Sequence, residues 1–242
     1  MDSGITSGCR RHPLALLLTP LALVALNWPS GVTASSAAAA VKPRQGLVTL
    51  LRTHEARSEP ATRSASLGLV PAKTWITGAR TTLPVLARHG QWLQVMLPGR
   101  PNGRTGWIKR AATVASTTNW HIVVKTSSRR VIVYRNGRPV RSDKAVVGKP
   151  STPTPHGTFF VEEAIQLRPG DVGAPFALAL SARSNVLQEF NGGPGQIGLH
   201  GLSNIGGVLG TAVSHGCVRL ANATMRWLVL RIGPGVPVTI AS

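Results

Sequence analysis

From Leu67 to Ser242 the chain is cut into short apolar segments by glycine, proline and asparagine, and most are too short for a helix of ordinary length. The segments LGLV, WITGA, LPVLA, QWLQVML and TGWIKR come first, and QWLQVML alternates as a half-buried strand does. HIVVKTSS, RRVIVYRNGRPV, KAVVGKP, TPTPHGTFFVEEA, QIGLHGL and GVPVTI follow. Asn102-Gly103 and Asn136-Gly137 predict hairpin tips, because both residues accept a positive φ. One stretch, ATMRWLVLRI, predicts a helix, with Asn222 as its cap and Gly233-Pro234 as its stop. Many strands and few helices predict a mostly β architecture, a sandwich or partly open barrel.

The domain layout follows from composition. Arg10, Arg11 and His12 precede the apolar stretch Leu14 to Leu26, and small residues follow it. That is the layout of a secretory signal over residues 1–40, too short in its apolar part for a permanent membrane span. Residues 41–65, poor in apolar periodicity, predict a flexible linker. Residues 66–116 predict a small β-barrel, in which Trp75, Trp92 and Trp107 either fill the core or line a ligand groove, the core reading being preferred. Residues 119–242 form the larger, C-terminal domain.

Removal of residues 1–40 would take away Asp2, Arg10, Arg11 and Cys9, leaving a net charge of +18 and one cysteine. The charge predicts attraction to anionic cell-wall polymers, weakened by salt. No recognition helix, zinc finger or aromatic RNA-reading motif accompanies it, so nucleic acid is not the expected partner. A lone thiol in an oxidising compartment is either inert and buried or kept for chemistry.

Cys217 stands in VSHGCVRL. A thiol attacks as the thiolate and needs a base or positive charge nearby. His215 lies two residues before it, Arg219 two after, and His200 sits in QIGLHGL. An extended run would put His215, Cys217 and Arg219 on one face. No Asp or Glu occurs from Phe190 to Ser242, so a backbone carbonyl in the His200-Gly201 turn is the expected support for the imidazole. Gly216 would let backbone amides reach an oxyanion. Ser214 is expected to make a local hydrogen bond, and the loop SNIGGVLGTAV to frame an entrance.

The pattern His200-Gly201 followed by Ser214-His215-Gly216-Cys217-Val218-Arg219-Leu220 resembles the signature of the L,D-transpeptidase catalytic domain. TPTPHGTFF resembles its Pro/Gly turn and GVPVTI its last strand, so the likeness spans residues 119 to 242. WLQVMLPGRPNGRTGWI is similar to half of a bacterial Src-homology-type barrel. The family often has an acidic residue opening the helix after the signature, where this chain has Thr224.

The resemblance implies a β-sandwich catalytic domain with one or two helices. It implies Cys217 as nucleophile and His200 as base and acid, with His215 and Gly216 in the oxyanion segment. Gly201 and Ser214 would shape the site, and Arg219 would steady it or meet a substrate carboxylate. The substrate would be a peptidoglycan stem tetrapeptide, cleaved at its third residue with release of D-Ala and transferred to an amine. Trimming to a shorter stem, attachment of wall to protein, and a non-catalytic wall-binding protein are the competing readings. No cofactor is implied. A zinc site from His200, His215 and Cys217 competes with the nucleophile, although the usual paired ligand spacings are missing.

Overall fold

The computed structural model describes residues 41–190 and 192–242. The expected signal segment, residues 1–40, lies outside them. No helix among the described residues is long and apolar enough to cross a membrane.

Two sheets organise the molecule. The first holds β1 (Gln45–Leu50), β2 (His54–Arg57), β3 (Ser66–Val70), β4 (Thr82–His89), β5 (Trp92–Met96), β6 (Thr105–Lys109) and β7 (Thr113–Thr118), in the order β3-β2-β6-β5-β4-β1-β7. All its pairings are antiparallel. The second region runs through β8 (Trp120–Lys125), β9 (Arg130–Arg135), β10 (Arg138–Lys144), β11 (Val147–Gly148), β12 (Gly157–Gln166) and β13 (Phe176–Arg183). It continues with β14 (Gln196–His200), β15 (Ala212–Ser214), β16 (Val218–Arg219), helix α1 (Asn222–Val229) and β17 (Pro237–Ala241). Eight of these strands form the order β10-β9-β8-β17-β12-β13-β14-β16, and β11 pairs with β15 separately. The fold is mostly β and sandwich-like, with one helix among the described residues.

The segment expected to be a linker is structured. β1 buries Leu47, Val48 and Leu50, and it pairs with β4 on one side and β7 on the other. Its three apolar residues are too few to show as a period; long-range pairing holds the strand. The tryptophans also differ from the preferred reading. Trp75 is 61% exposed, and none of the three enters the first sheet's core. WITGA is a turn, because the buried Glu163 carboxylate of β12 accepts from the Thr77 hydroxyl at 2.6 Å and the Thr77 amide at 2.8 Å. A buried carboxylate needs such donors, and the turn supplies them.

Strand β12 belongs to both cores. Strand alternation sends Phe159 into the core of the second sheet and Phe160 into that of the first, each 1% exposed. Phe160→Ala is expected to cost about 3–5 kcal/mol, read as a lower denaturant midpoint, because the cavity sits where the two cores meet.

Helix α1 begins at Asn222 with Ala221 as its cap, and no side chain caps it. The Asn222 side chain is used elsewhere: its Oδ1 accepts the Leu202 amide at 2.9 Å and its Nδ2 donates to Ser203 Oγ at 2.8 Å. The missing acid at Thr224 is replaced from another strand. Thr224 Oγ1 donates to Asp143 Oδ1 of β10 at 3.0 Å, setting a carboxylate beside the helix's first turn.

Candidate functional site

The site forms where β14 and β16 run parallel, with Leu199 opposite Val218 and His200 opposite Arg219. Leu199 and Val218 are fully buried. Alternation therefore turns His200 and Arg219 to the other face, with Cys217 two residues before Arg219. A small cavity of ≈ 50 Å³ opens there; His200, Cys217, Arg219, His215, Gln196 and Phe190 are among its lining residues.

The turn carrying the thiol is fixed by its own backbone. Ser214 Oγ donates to the Cys217 carbonyl at 2.6 Å and accepts the Gly216 amide at 3.1 Å. Gly216 adopts φ +117°, a conformation that favours glycine. Its amide is spent on Ser214, so any amide free for an oxyanion comes from its neighbours in the turn. The amides of His215 and Cys217 find no protein acceptor among the described residues. The TPTP turn braces the same loop: Thr154 Oγ1 donates to the Gly216 carbonyl at 2.8 Å and Thr152 Oγ1 to that of Ser214 at 3.2 Å. These threonines belong to the run TPTPHGTFF, yet only the contact assigns them this task.

His200 is supported as the lack of nearby acids implied. Its Nδ1 lies 2.9 Å from the Gly201 carbonyl, an acceptor only, so Nδ1 carries the proton and Nε2 is left as the basic nitrogen. Gly201 has no room for a side chain, since a Cβ would meet the Ala174 carbonyl and Asn222 Oδ1. Gly173, which carries no signal in the sequence, packs against the imidazole at φ +84°, and a Cβ there would fall 2.5 Å from Nδ1. Gly173→Ala is expected to displace the ring and cut the rate of Cys217 acylation about tenfold or more. Stopped-flow acylation with the folded variant checks this.

Burial pushes the Cys217 thiol up from its ordinary range, while the Gly198 amide and Arg219 pull it partly back. Burial also lowers His200, and the Arg219 charge adds to this, against the opposing hydrogen bond to Gly201. Both shifts favour a neutral thiol beside a neutral imidazole. Arg219 is 7% exposed; Nη1 donates to the Gly206 carbonyl at 3.2 Å, and Nε has no partner among the described residues. His215 is exposed and stacks on Phe190, ring centroids 5.8 Å apart. No three His, Cys, Asp or Glu side chains converge as a metal site among the described residues.

Fold and cavity together define a β-sandwich-type domain with a thiol and an imidazole on one cleft wall. The chain belongs to the L,D-transpeptidase catalytic-domain family, whose YkuD model matches residues 119–240. It is 30% identical to the Bacillus subtilis protein named as L,D-transpeptidase YkuD, over 51% of this chain and 67% of that one. It is 28% identical to L,D-transpeptidase 1 of Mycobacterium tuberculosis, over 49% of each chain. The NMR structure of the Enterococcus faecium L,D-transpeptidase catalytic domain aligns at a TM-score of 0.40 and 21% identity, covering 50% of this chain and 96% of that one.

Proposed function

We propose that the chain is a peptidoglycan L,D-transpeptidase acting outside the cytoplasm, with residues 119–242 as its catalytic domain and the N-terminal sheet as a wall-binding module. The observation carrying this reading is that Cys217, His200 and Arg219 line one cavity where β14 and β16 pair.

The Cys217 sulfur attacks the carbonyl of the third residue in a stem tetrapeptide as His200 Nε2 takes the thiol proton. The tetrahedral oxyanion is held by the free amides of His215 and Cys217. Collapse breaks the bond to D-Ala, whose amine receives the proton back from His200, and leaves a thioester. The side-chain amine of a second stem then attacks, His200 takes its proton, and the thiol is restored with a new amide formed. Arg219 supports recognition of a carboxylate: it is a buried cation, and neither Asp nor Glu pairs with it among the described residues.

Purified protein with disaccharide-tetrapeptide, read by mass spectrometry, tests the proposal. Cross-linked dimers with loss of D-Ala support it. Tripeptide alone marks a carboxypeptidase, and unchanged substrate with retained wall pelleting marks a binding protein.

A further inference from the structure

One wall of the cavity is held in part from outside its own domain. Ser184, Leu187, Phe190 and Gly195 line it, on a loop between β13 and β14. Three carbonyls of that loop converge on a single guanidinium from the first sheet. Arg100 Nη2 donates to Ser184 O at 2.8 Å and Leu187 O at 3.1 Å, and Nη1 donates to Pro194 O at 2.9 Å. Two residues on, Asn102 clasps Arg183 on both sides: Oδ1 accepts its amide at 2.8 Å and Nδ2 donates to its carbonyl at 2.8 Å. The Arg183 side chain in turn pairs with buried Glu162 of β12 at 3.0 Å, and Arg183 faces Gln196 across the ladder. Gln196 lines the cavity too.

The grip is tight. Gly195 sits at φ +63°, and a Cβ there would collide with the Leu187 carbonyl and come within 3.1 Å of Arg100 Nη2. A Cβ on Gly193 would lie 3.6 Å from the Trp75 ring, a second first-sheet residue against the same loop. From there Phe190 reaches His215 by ring stacking, with planes 28° apart. The path from Arg100 to the cavity is continuous.

We propose that Arg100 and Asn102 are positioning residues for the substrate-facing wall, so that the connection between β5 and β6 shapes the catalytic cavity from outside the catalytic domain. A planar guanidinium with donors in a fixed fork suits three inward-turned carbonyls; a lysine ammonium cannot span them in one plane. The imidazole stands at the end of β14 and the thiol in the turn just before β16, outside this grip. The wall therefore governs how a large substrate seats, and a small reagent meets the sulfur unhindered.

The inference rests on the cavity being the acyl-donor site, and the experiment separates the two. Full-length Arg100→Ala, Arg100→Lys, Asn102→Ala and Asn102→Asp are compared with the native chain in three measurements. Alkylation of Cys217 by iodoacetamide is expected to stay within about twofold, since the reacting pair is untouched. With tetrapeptide, KM is expected to rise about tenfold in Arg100→Ala, with kcat changed less. Arg100→Lys stays impaired, and Asn102→Asp, which keeps the acceptor for the Arg183 amide, recovers part of the loss seen in Asn102→Ala. Hydrogen exchange over Ser184–Phe190 is expected to quicken about tenfold in Arg100→Ala. Unchanged exchange in both alanine variants overturns the proposal, as does unchanged KM. Should native protein leave tetrapeptide untouched, the functional reading falls while exchange still decides the positioning.

Discussion

Cys217→Ala protein incubated with a carbapenem and weighed intact is expected to gain no mass, whereas the native chain gains one ring-opened β-lactam. The sulfur is the single soft nucleophile among the residues lining the cavity, and the backbone around it is built to keep it in place. Transfer from tetrapeptide should fall by about 10⁴-fold or more, because no second thiol lines the cavity to replace it. Ser214 is fully buried and committed to the Cys217 carbonyl. The alanine variant should unfold at nearly the native denaturant midpoint, since it removes one half-buried atom. An adduct of normal mass on Cys217→Ala would place the nucleophile elsewhere.

The candidate site was more legible in the sequence than the fold that carries it. Cys217 and Arg219 stand two apart in one short run, a local signal of a shared face, whereas His200 joins them only through the pairing of β14 with β16. The Gly201 carbonyl behind His200 was readable from the lack of acids after Phe190. Strands β8, β9 and β12 were equally plain, each a short apolar segment closed by a turn. What was hidden depends on distant partners. Gln45–Leu50 looks like linker until β4 and β7 are beside it. FALALSAR, which becomes β13, has too little alternation to declare a strand, being buried along its whole second half. Asn222 reads as a helix cap from its position, yet tertiary contact takes its side chain to Leu202. Gly173 gave no signal, since its task is to leave space for a ring that lies 27 residues further on.

His200→Ala is expected to lower acylation by about 10²–10⁴-fold and, more tellingly, to change its dependence on pH. Burial lowers His200 from its ordinary 6.5 and raises Cys217 above its ordinary 9.0. Between those two values the native pair stays neutral, and imidazole is already in its basic form. The native kcat/KM for acylation should therefore be level from pH 6.5 to 9.0, with its acid limb entirely below 6.5. Without the imidazole only thiolate reacts, so the variant's rate should climb about tenfold per pH unit across the same interval. The linkage to folding has a definite sign as well. Folded protein binds the His200 proton less readily than unfolded protein does, so this residue's contribution to stability is complete above 6.5 and is lost as pH falls through the window beneath it. His200→Gln, neutral at every pH, should remove that share of the acid sensitivity. A level profile in the variant, or a sloping one in the native chain, would take the proton-transfer role away from His200 and pass it to the exposed ring of His215.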